Sequence, residues 1–180
     1  MDSINANQEE QNFKALIGEE AISKLKEMAK DGPICFFCTG LKTGEGFSTR
    51  PMSVQKVDDE GNFWFLSASD SHKNAEIEND NSVQLLFQGS KYSDYLSIFG
   101  QGLIVTTKST IKELWKPILK TWFTEGENDP RITAIKVVPR NGYYWDTKHN
   151  RLVAMIKTAA GAVMGKTYDD SIEGPVNIKG

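Results

Sequence analysis

Residues 47–67, FSTRPMSVQKVDDEGNFWFLS, have the pattern of two β-strands joined by a tight polar turn. The predicted strands cover residues 47–57 and 63–67, and the turn between them contains a glycine. Outward from this hairpin, the apolar pattern predicts further strands over residues 34–39, 83–88, 95–107, 131–139 and 142–146. Short strands with hairpin-like links favour an antiparallel barrel over a doubly wound parallel sheet, which needs alternating helices.

Helices are predicted on both sides of these strands. Apolar residues recur at helical spacing over residues 19–30, and glycine and proline at positions 32 and 33 should end that helix. A second helix is predicted over residues 109–123, capped by Ser109 or Thr110 and kinked or restarted at Pro117. In the 95–107 strand, Gly100 and Gly102 predict a bend or a bulge.

The length of 180 residues fits a single domain. We expect a flexible lead-in over residues 1–17, a barrel with its N-terminal helix over 18–148, and a tail over 149–180. The tail is predicted to be helical to about residue 164 and then loose and polar.

Charge and hydropathy narrow the class of protein. A formal net charge of −3 argues against a nucleic-acid backbone as the main partner, because phosphate neutralisation needs a basic surface. No stretch approaches the length of a membrane span, so no membrane partner is expected. The acidic N-terminus lacks the pattern of a secretory signal, so we expect a cytoplasmic location.

Two cysteines, Cys35 and Cys38, have the spacing of a redox motif. Residues three apart on a strand point to opposite faces, which places the sulfurs too far apart for an unstrained disulfide. A zinc site would need further ligands, and the sequence has no second cysteine pair. We therefore predict buried structural thiols and no metal site.

Two stretches contain candidate anion-binding residues. Arg50 lies in a predicted strand of mostly small or apolar neighbours, and is either paired with a carboxylate at the surface or directed at an anion. Ser67, Ser71 and Lys73 follow an aromatic strand where a short helix should begin, and they could hold a phosphate. The alternative there is an ordinary capped helix with a solvated lysine.

The aromatic residues of the second helix, Trp115, Trp122 and Phe123, are predicted to pack in the core or at a dimer contact. They could also cover the face of a flat ligand. His72 and His149 lack a nearby nucleophile in a recognisable motif, so a hydrolase triad has no support. No phosphate-binding glycine-rich motif occurs.

The ordered segments STRPMSVQ, DEGNFWFLSASDSHKNAEI, NSVQLLF, YLSIFGQGLIV, ELWKPILKTWF, GENDPRITAIKVVP and YYWD resemble the bacterial general stress protein 26 family. That family belongs to the pyridoxamine 5′-phosphate oxidase-like flavin-binding split barrels. The resemblance extends from about residue 12 to residue 148. It implies a mainly β fold with flanking helices, a six-stranded antiparallel Greek-key split β-barrel, and a homodimer with FMN at the subunit interface.

The resemblance also implies roles for individual residues. The flavin phosphate would be held by Arg50, Ser71 and Lys73. His72 stands where the oxidases often carry a second arginine, which leaves FMN or FAD open as the cofactor. The remaining implied cofactor contacts are Pro51, Met52 and Ser53 beside the flavin ring, Leu66 and Ser67 before the phosphate loop, and Trp115 and Trp122 toward the partner subunit's flavin.

Three functions remain open from the sequence. The first is a flavin-binding general stress protein with a redox role. The second is a flavin-dependent oxidoreductase, either a pyridoxamine 5′-phosphate oxidase-like enzyme or an NAD(P)H-flavin reductase. The tail from residue 151 contains one arginine and no tryptophan, which disfavours the vitamin B6 reaction. The third is a non-catalytic dimeric barrel without flavin.

Overall fold

The computed structural model describes residues 12–42, 46–89, 94–147 and 171–178. Within these ranges the strands are β1 (Leu16–Ile17), β2 (Ile34–Thr39), β3 (Ser48–Ser53), β4 (Lys56–Val57), β5 (Phe63–Ala68), β6 (Ser82–Gln88), β7 (Tyr95–Val105), β8 (Ile132–Thr147) and β9 (Ser171–Asn177). The helices are α1 (Glu19–Asp31), α2 (His72–Asn79) and α3 (Lys108–Leu114), with short 3-10 segments at Pro117–Thr121 and Gly126–Asn128. None of the helices in these ranges is both long and apolar enough to cross a bilayer.

The central strands form a path of antiparallel neighbours. From β3 the order runs through β2, β6, β7, β8 and β5 to β4. β3 and β4 lie at the two ends of this path, yet only Val54 and Gln55 separate them in the chain. The predicted strand over residues 47–57 is therefore one bent strand whose halves belong to opposite ends of the path.

The connection from β5 to β6 sets the strand order. These strands follow each other in the chain but are not neighbours in the sheet, and α2 connects them. If β3 and β4 are taken as one bent strand, this is a six-stranded antiparallel barrel in Greek-key order. The prediction of a mainly β split barrel with flanking helices is confirmed, although the hydrogen-bonded path is open rather than closed.

The long strand β8 joins the parts of the sheet. It pairs with β7 over most of its length, with β5 along its first half and with β9 along its last residues. The two strands predicted over residues 131–139 and 142–146 are thus one strand. The register of β7 against β8 shifts between Phe99 and Gly100, where a Cβ on Gly100 would lie 2.6 Å from the Val138 carbonyl oxygen. The bend or bulge predicted around Gly100 thus coincides with a register shift, but the extra residue of that shift, Arg140, lies on β8.

Both ends of the described chain depart from the prediction. β9 lies in the segment predicted to be loose, and it pairs antiparallel with β8 and parallel with β1. The part of the predicted lead-in from residue 12 onward is ordered, since Asn12 is buried and Phe13 bridges to Glu173. This strand was not predicted from the sequence because β9 contains a glycine and a proline, and both residues usually interrupt strands. Residues 1–11 and the predicted tail helix lie outside the described residues.

The main core fills the barrel with aromatic and branched side chains. Phe37 and Phe65 are fully buried and meet edge to face at 5.1 Å between ring centroids. Cys35 and Cys38 are both free and buried, as predicted. Burial also raises the pKa of the Cys35 thiol, which makes it a poor nucleophile.

The second predicted helix is shorter than expected. α3 ends at Leu114, and a 3-10 segment begins at Pro117. Lys116 has extended backbone angles, because a residue before proline is disfavoured in the helical region. The N-cap is Thr107, without a side-chain capping bond, rather than Ser109 or Thr110. A second apolar cluster packs this segment on the barrel through Leu66, Ile111, Leu114, Leu119, Phe123, Ile132 and Ala134.

Candidate functional site

A cavity of about 620 Å³ lies between β3, the end of β5, α2 and the 3-10 segment after α3. Its lining contains these predicted binding residues: Arg50, Pro51, Met52, Ser53, Leu66, Ser67, Lys73 and Trp122. Ser71, His72 and Trp115 lie outside the lining. The lining residues Ile34, Gln55, Ala68 and Leu119 were not predicted from the sequence. Phe123 packs in the second apolar cluster and also lines the cavity, which agrees with both alternatives for it, core packing and ligand cover.

One wall of the cavity is an edge strand. β3 contributes four consecutive residues, 50–53, and it ends the hydrogen-bonded path of the sheet. An edge strand presents backbone N–H and C=O groups that have no strand neighbour on one side. This wall therefore combines side chains with some unpaired backbone groups, although Pro51 has no N–H to donate.

Arg50 is held at one end of the cavity by two contacts. Its Nη1 donates to Thr39 Oγ1 at 2.6 Å, and its Nη2 donates to Glu76 Oε2 at 2.7 Å. A guanidinium has five N–H donors, so these bonds leave others for a further anion. Arg50 thus pairs with a carboxylate, as one sequence alternative proposed, and also lines the cavity.

Glu76 is the centre of this polar cluster. It also accepts hydrogen bonds from Thr39 Oγ1 at 2.5 Å and from Ser48 Oγ at 2.8 Å. Burial opposes ionisation of the carboxyl group, but the bonds from Thr39, Ser48 and Arg50 outweigh it and hold its pKa below the usual range. Glu76 therefore stays ionised and partly neutralises Arg50.

Lys73 is the second cation of the cavity. Its side chain is half-buried, and within the described part of the chain no carboxylate forms an ion pair with it. Burial lowers its pKa, and the nearby Arg50 lowers it further, while Glu76 and Asp70 oppose this more weakly. An anion placed beside Lys73 would favour its charged form and so offset both the burial and the repulsion from Arg50.

A buried polar network holds the first turn of α2, which contains Lys73. The neighbouring Asn74 accepts from Ser67 Oγ at 2.7 Å and from Ser71 Oγ at 3.2 Å, and its amide donates to Thr133 Oγ1 at 2.9 Å. Thr133 in turn donates to the Ser67 carbonyl oxygen at 3.1 Å. This network ties the start of α2 to β5 and β8, so Ser71 supports the site indirectly rather than lining it.

The three other predicted site residues are arranged differently. His72 is exposed at the start of α2. Trp115 packs on Phe123 with ring centroids 6.3 Å apart, which agrees with the core-packing alternative. Trp122 lines the cavity but remains 65% exposed, so its ring forms part of an open rim.

A family model described as pyridoxamine 5′-phosphate oxidase like matches residues 20–169, which is most of the chain. The chain belongs to the pyridoxamine 5′-phosphate oxidase-like family. This confirms the resemblance drawn from the sequence motifs. The matched region contains the barrel, α2, α3 and every residue that lines the cavity.

Solved structures of general stress proteins share the fold of this pyridoxamine 5′-phosphate oxidase-like chain. A protein described as general stress protein 26 from Jannaschia sp. CCS1 superposes with a TM-score of 0.73 at 20% identity, covering 86% of this chain and 96% of that one. General stress protein 26 from Bacillus anthracis str. Sterne gives a TM-score of 0.61 at 22% identity, over 68% and 92% of the chains. The general stress FMN/FAD binding protein of Xanthomonas citri superposes with a TM-score of 0.58 at 23% identity, covering 70% of this chain and 87% of that one.

A curated fungal relative is also similar in sequence. The protein bli-3 of Neurospora crassa is 27% identical over 134 residues, which cover 69% of this chain. The match covers 64% of that relative, so the chain spans less than two thirds of its length.

Proposed function

We propose that this chain binds FMN in the 620 Å³ cavity and functions as a flavin-binding stress protein with a redox role. The observation that carries the proposal is the position of Lys73, a half-buried cation without a carboxylate partner among the described residues, beside Arg50 in the cavity. Because burial and the nearby Arg50 both disfavour the charge of Lys73, an anionic ligand is the natural partner for this side chain.

The phosphate end of the ligand fits the charge of the site. A flavin phosphate is close to a dianion at neutral pH. Arg50 and Lys73 supply two positive charges, of which Glu76 offsets one. Ser67, near the end of β5, also lines the cavity, but its hydroxyl donates to Asn74 Oδ1, so Arg50 and Lys73 would be the main phosphate contacts.

The remainder of the cavity fits a flat apolar ring. Met52, Leu66, Leu119 and Phe123 supply apolar wall, and Trp122 forms the open rim. The backbone of β3 would run along the ring edge and offer it hydrogen bonds. A bound flavin supplies the electron-transfer chemistry. The chain would hold the phosphate, orient the ring and keep water away from the ring faces.

Similarity to the Xanthomonas citri protein supports a flavin ligand, because that protein is described as binding FMN or FAD. We assign FMN as the preferred ligand here because its phosphate monoester places close to two negative charges on one phosphorus beside Arg50 and Lys73, whereas the pyrophosphate of FAD spreads two charges over two phosphorus atoms. Comparable binding of FMN and FAD would overturn the preference but not flavin binding itself.

We also propose that the chain forms a homodimer. Outward-facing apolar side chains cluster next to the cavity on β2, β6 and β7, where Phe36 is 57% exposed and pairs across strands with Leu86. Ile34 belongs to both this exposed patch and the flavin cavity. A second copy covering the patch would bring its own residues to the cavity, and sedimentation velocity would detect the dimer.

The visible absorption spectrum tests the flavin proposal. The purified full chain is mixed with excess FMN, passed through a desalting column and scanned, with riboflavin in a parallel sample. We expect FMN to be retained with a perturbed flavin spectrum and riboflavin to be retained far less, since riboflavin lacks the phosphate. Release of all FMN from a folded protein would contradict the proposal.

A further inference from the structure

A second cavity, of about 360 Å³, has a markedly cationic lining. The lysines at its surface are Lys26, Lys30, Lys56 and Lys116, and we refer to this cavity as the lysine cleft. The whole chain is acidic, with a net charge of −3, so a local group of four cations is a departure from its composition.

The fold collects these lysines from separate segments. Lys26 and Lys30 lie one turn apart near the C-terminal end of α1. Lys56 comes from β4, and Lys116 comes from the break between α3 and the 3-10 segment. A lysine near a helix C-terminus is commonly explained by the helix dipole. That explanation does not apply to Lys56, which lies in a strand.

Carboxylates compensate only part of this charge. Lys26 pairs with Asp59 at 2.6 Å, and Lys56 pairs with Glu113 at 2.5 Å. Both pairs are exposed, and exposed pairs of this kind contribute little and can rearrange. Within the described ranges, no carboxylate forms an ion pair with Lys30 or Lys116, and no carboxylate lines the lysine cleft.

The lysine cleft adjoins the flavin cavity. Gln55 lines both cavities, and its carbonyl oxygen accepts a hydrogen bond from Lys116 Nζ at 3.3 Å. Arg50 lines the flavin cavity but not the lysine cleft, so the two cavities meet at Gln55 and not at the proposed phosphate end.

We propose that the lysine cleft binds the phosphate or pyrophosphate group of a small second ligand, distinct from the flavin. Lys30 and Lys116 are its main anion contacts, and Lys26 and Lys56 add charge around them. The position of this ligand beside the flavin ring rests on the proposed function. Binding of the anion itself does not depend on flavin.

Inorganic pyrophosphate is the probe for this site. Its dissociation constant is measured by isothermal titration calorimetry on the full chain saturated with FMN, and again on the Lys73→Gln variant without FMN. The test variant is Lys30→Gln/Lys116→Gln. The control is Lys108→Gln/Lys112→Gln, which removes the same charge from exposed positions of α3 that do not line either cavity.

We expect the test substitutions to raise the pyrophosphate dissociation constant at least tenfold, both in the FMN-saturated chain and in the FMN-free Lys73→Gln background. The control substitutions should leave that constant within twofold of the value without them. With Lys73 intact, the test and control variants should both bind FMN within twofold of the parent protein. Equal pyrophosphate binding by test and control variants, or no binding by the parent protein, would overturn the proposal. If FMN is not bound but the pyrophosphate difference persists in the Lys73→Gln background, the anion site stands and the flavin assignment fails.

Discussion

Arg50 donates to Glu76 at 2.7 Å, and this bond connects strand β3 to helix α2 across the phosphate end of the cavity. The side chains are 23% and 27% exposed, so solvent screens the pair only in part. The proposed ligand and Glu76 therefore compete for the same guanidinium. Glu76 orients Arg50, and it also reduces the positive potential that the phosphate meets.

Replacing Glu76 by Gln should tighten FMN binding. The glutamine keeps an oxygen that can accept from Arg50 and Thr39 but removes the negative charge. We expect the dissociation constant for FMN, measured by quenching of flavin fluorescence, to fall three- to tenfold. Riboflavin affinity should not change, because riboflavin has no phosphate to repel.

The opposite result would contradict this account of Glu76. Weaker FMN binding by Glu76→Gln in a folded protein would mean that the full carboxylate is needed to hold Arg50 in place. The variant Arg50→Gln/Glu76→Gln keeps the net charge of the chain and serves as the control, and it should bind FMN more weakly than Glu76→Gln alone.

Glu76 should also make stability depend on pH. Its pKa in the folded protein is lowered, so its stabilisation is present above the ordinary glutamate pKa and is lost as pH falls through the lowered value. Thermal unfolding between pH 7 and pH 3 should show a smaller acid-induced loss for Glu76→Gln than for the parent protein. At pH 7 the variant should be about 1 kcal/mol less stable. If the unfolding temperatures of the two proteins fell in parallel with pH, Glu76 would not be the source of the acid-induced loss of stability.

FMN affinity should fall at alkaline pH because of Lys73. Its pKa is lowered before binding, so it loses its proton at a lower pH than an ordinary lysine does. A phosphate favours the protonated amine, so binding weakens as pH rises through the lowered pKa. Fluorescence titrations from pH 7 to pH 10 would measure this change.

Two controls separate Lys73 from titration of the flavin itself. Lys73→Arg should bind FMN with little pH dependence, since arginine stays charged throughout this range. The dissociation constant for riboflavin should depend on pH in the same way for the parent protein and for Lys73→Arg. An unaltered pH profile for FMN in the arginine variant would rule out Lys73 as the titrating group.

The strand pattern was predictable because barrel strands carry their signal locally. Runs such as residues 34–39 and 63–67 are apolar or aromatic and end at polar turns, and the structure places strands there. The strand β9 was not predictable in this way, since Gly174 and Pro175 interrupt it and its partners lie far away in the chain. Tertiary pairing, not local propensity, decides that strand.

The positively charged residues of the candidate site could be predicted from the sequence, but the residues that bind Arg50 could not. Arg50 stands out as a charge among small or apolar neighbours, Lys73 follows the serine-rich end of an aromatic strand, and both line the cavity. Glu76 and Thr39 could not be assigned to Arg50, because they are separated from it by 26 and 11 residues and meet it only in the folded sheet. His72 was assigned from the family pattern, and Trp115 from that pattern and from its place in the aromatic group of the predicted second helix; both lie outside the cavity lining.

The register shift beside Gly100 provides a test of the fold that is independent of ligand binding. A methyl group there would lie 2.6 Å from the Val138 carbonyl oxygen, a backbone atom that cannot move aside easily. We expect Gly100→Ala to lower the free energy of unfolding by about 1–3 kcal/mol in urea denaturation. Gly46→Ala is the matched control, because its added methyl group meets no atom within 4 Å. Equal stability of both variants would show that the register shift tolerates a side chain.

The most direct test of the central claim is the FMN dissociation constant of Lys73→Gln, measured by fluorescence titration at pH 7 beside Lys112→Gln. Both variants remove one lysine charge, but only Lys73 lines the cavity. The account predicts that Lys73→Gln weakens FMN binding at least tenfold and leaves riboflavin binding within twofold, while Lys112→Gln matches the parent protein for both ligands. FMN binding by Lys73→Gln as tight as that of the parent protein would contradict the assignment of this cavity as the flavin phosphate site.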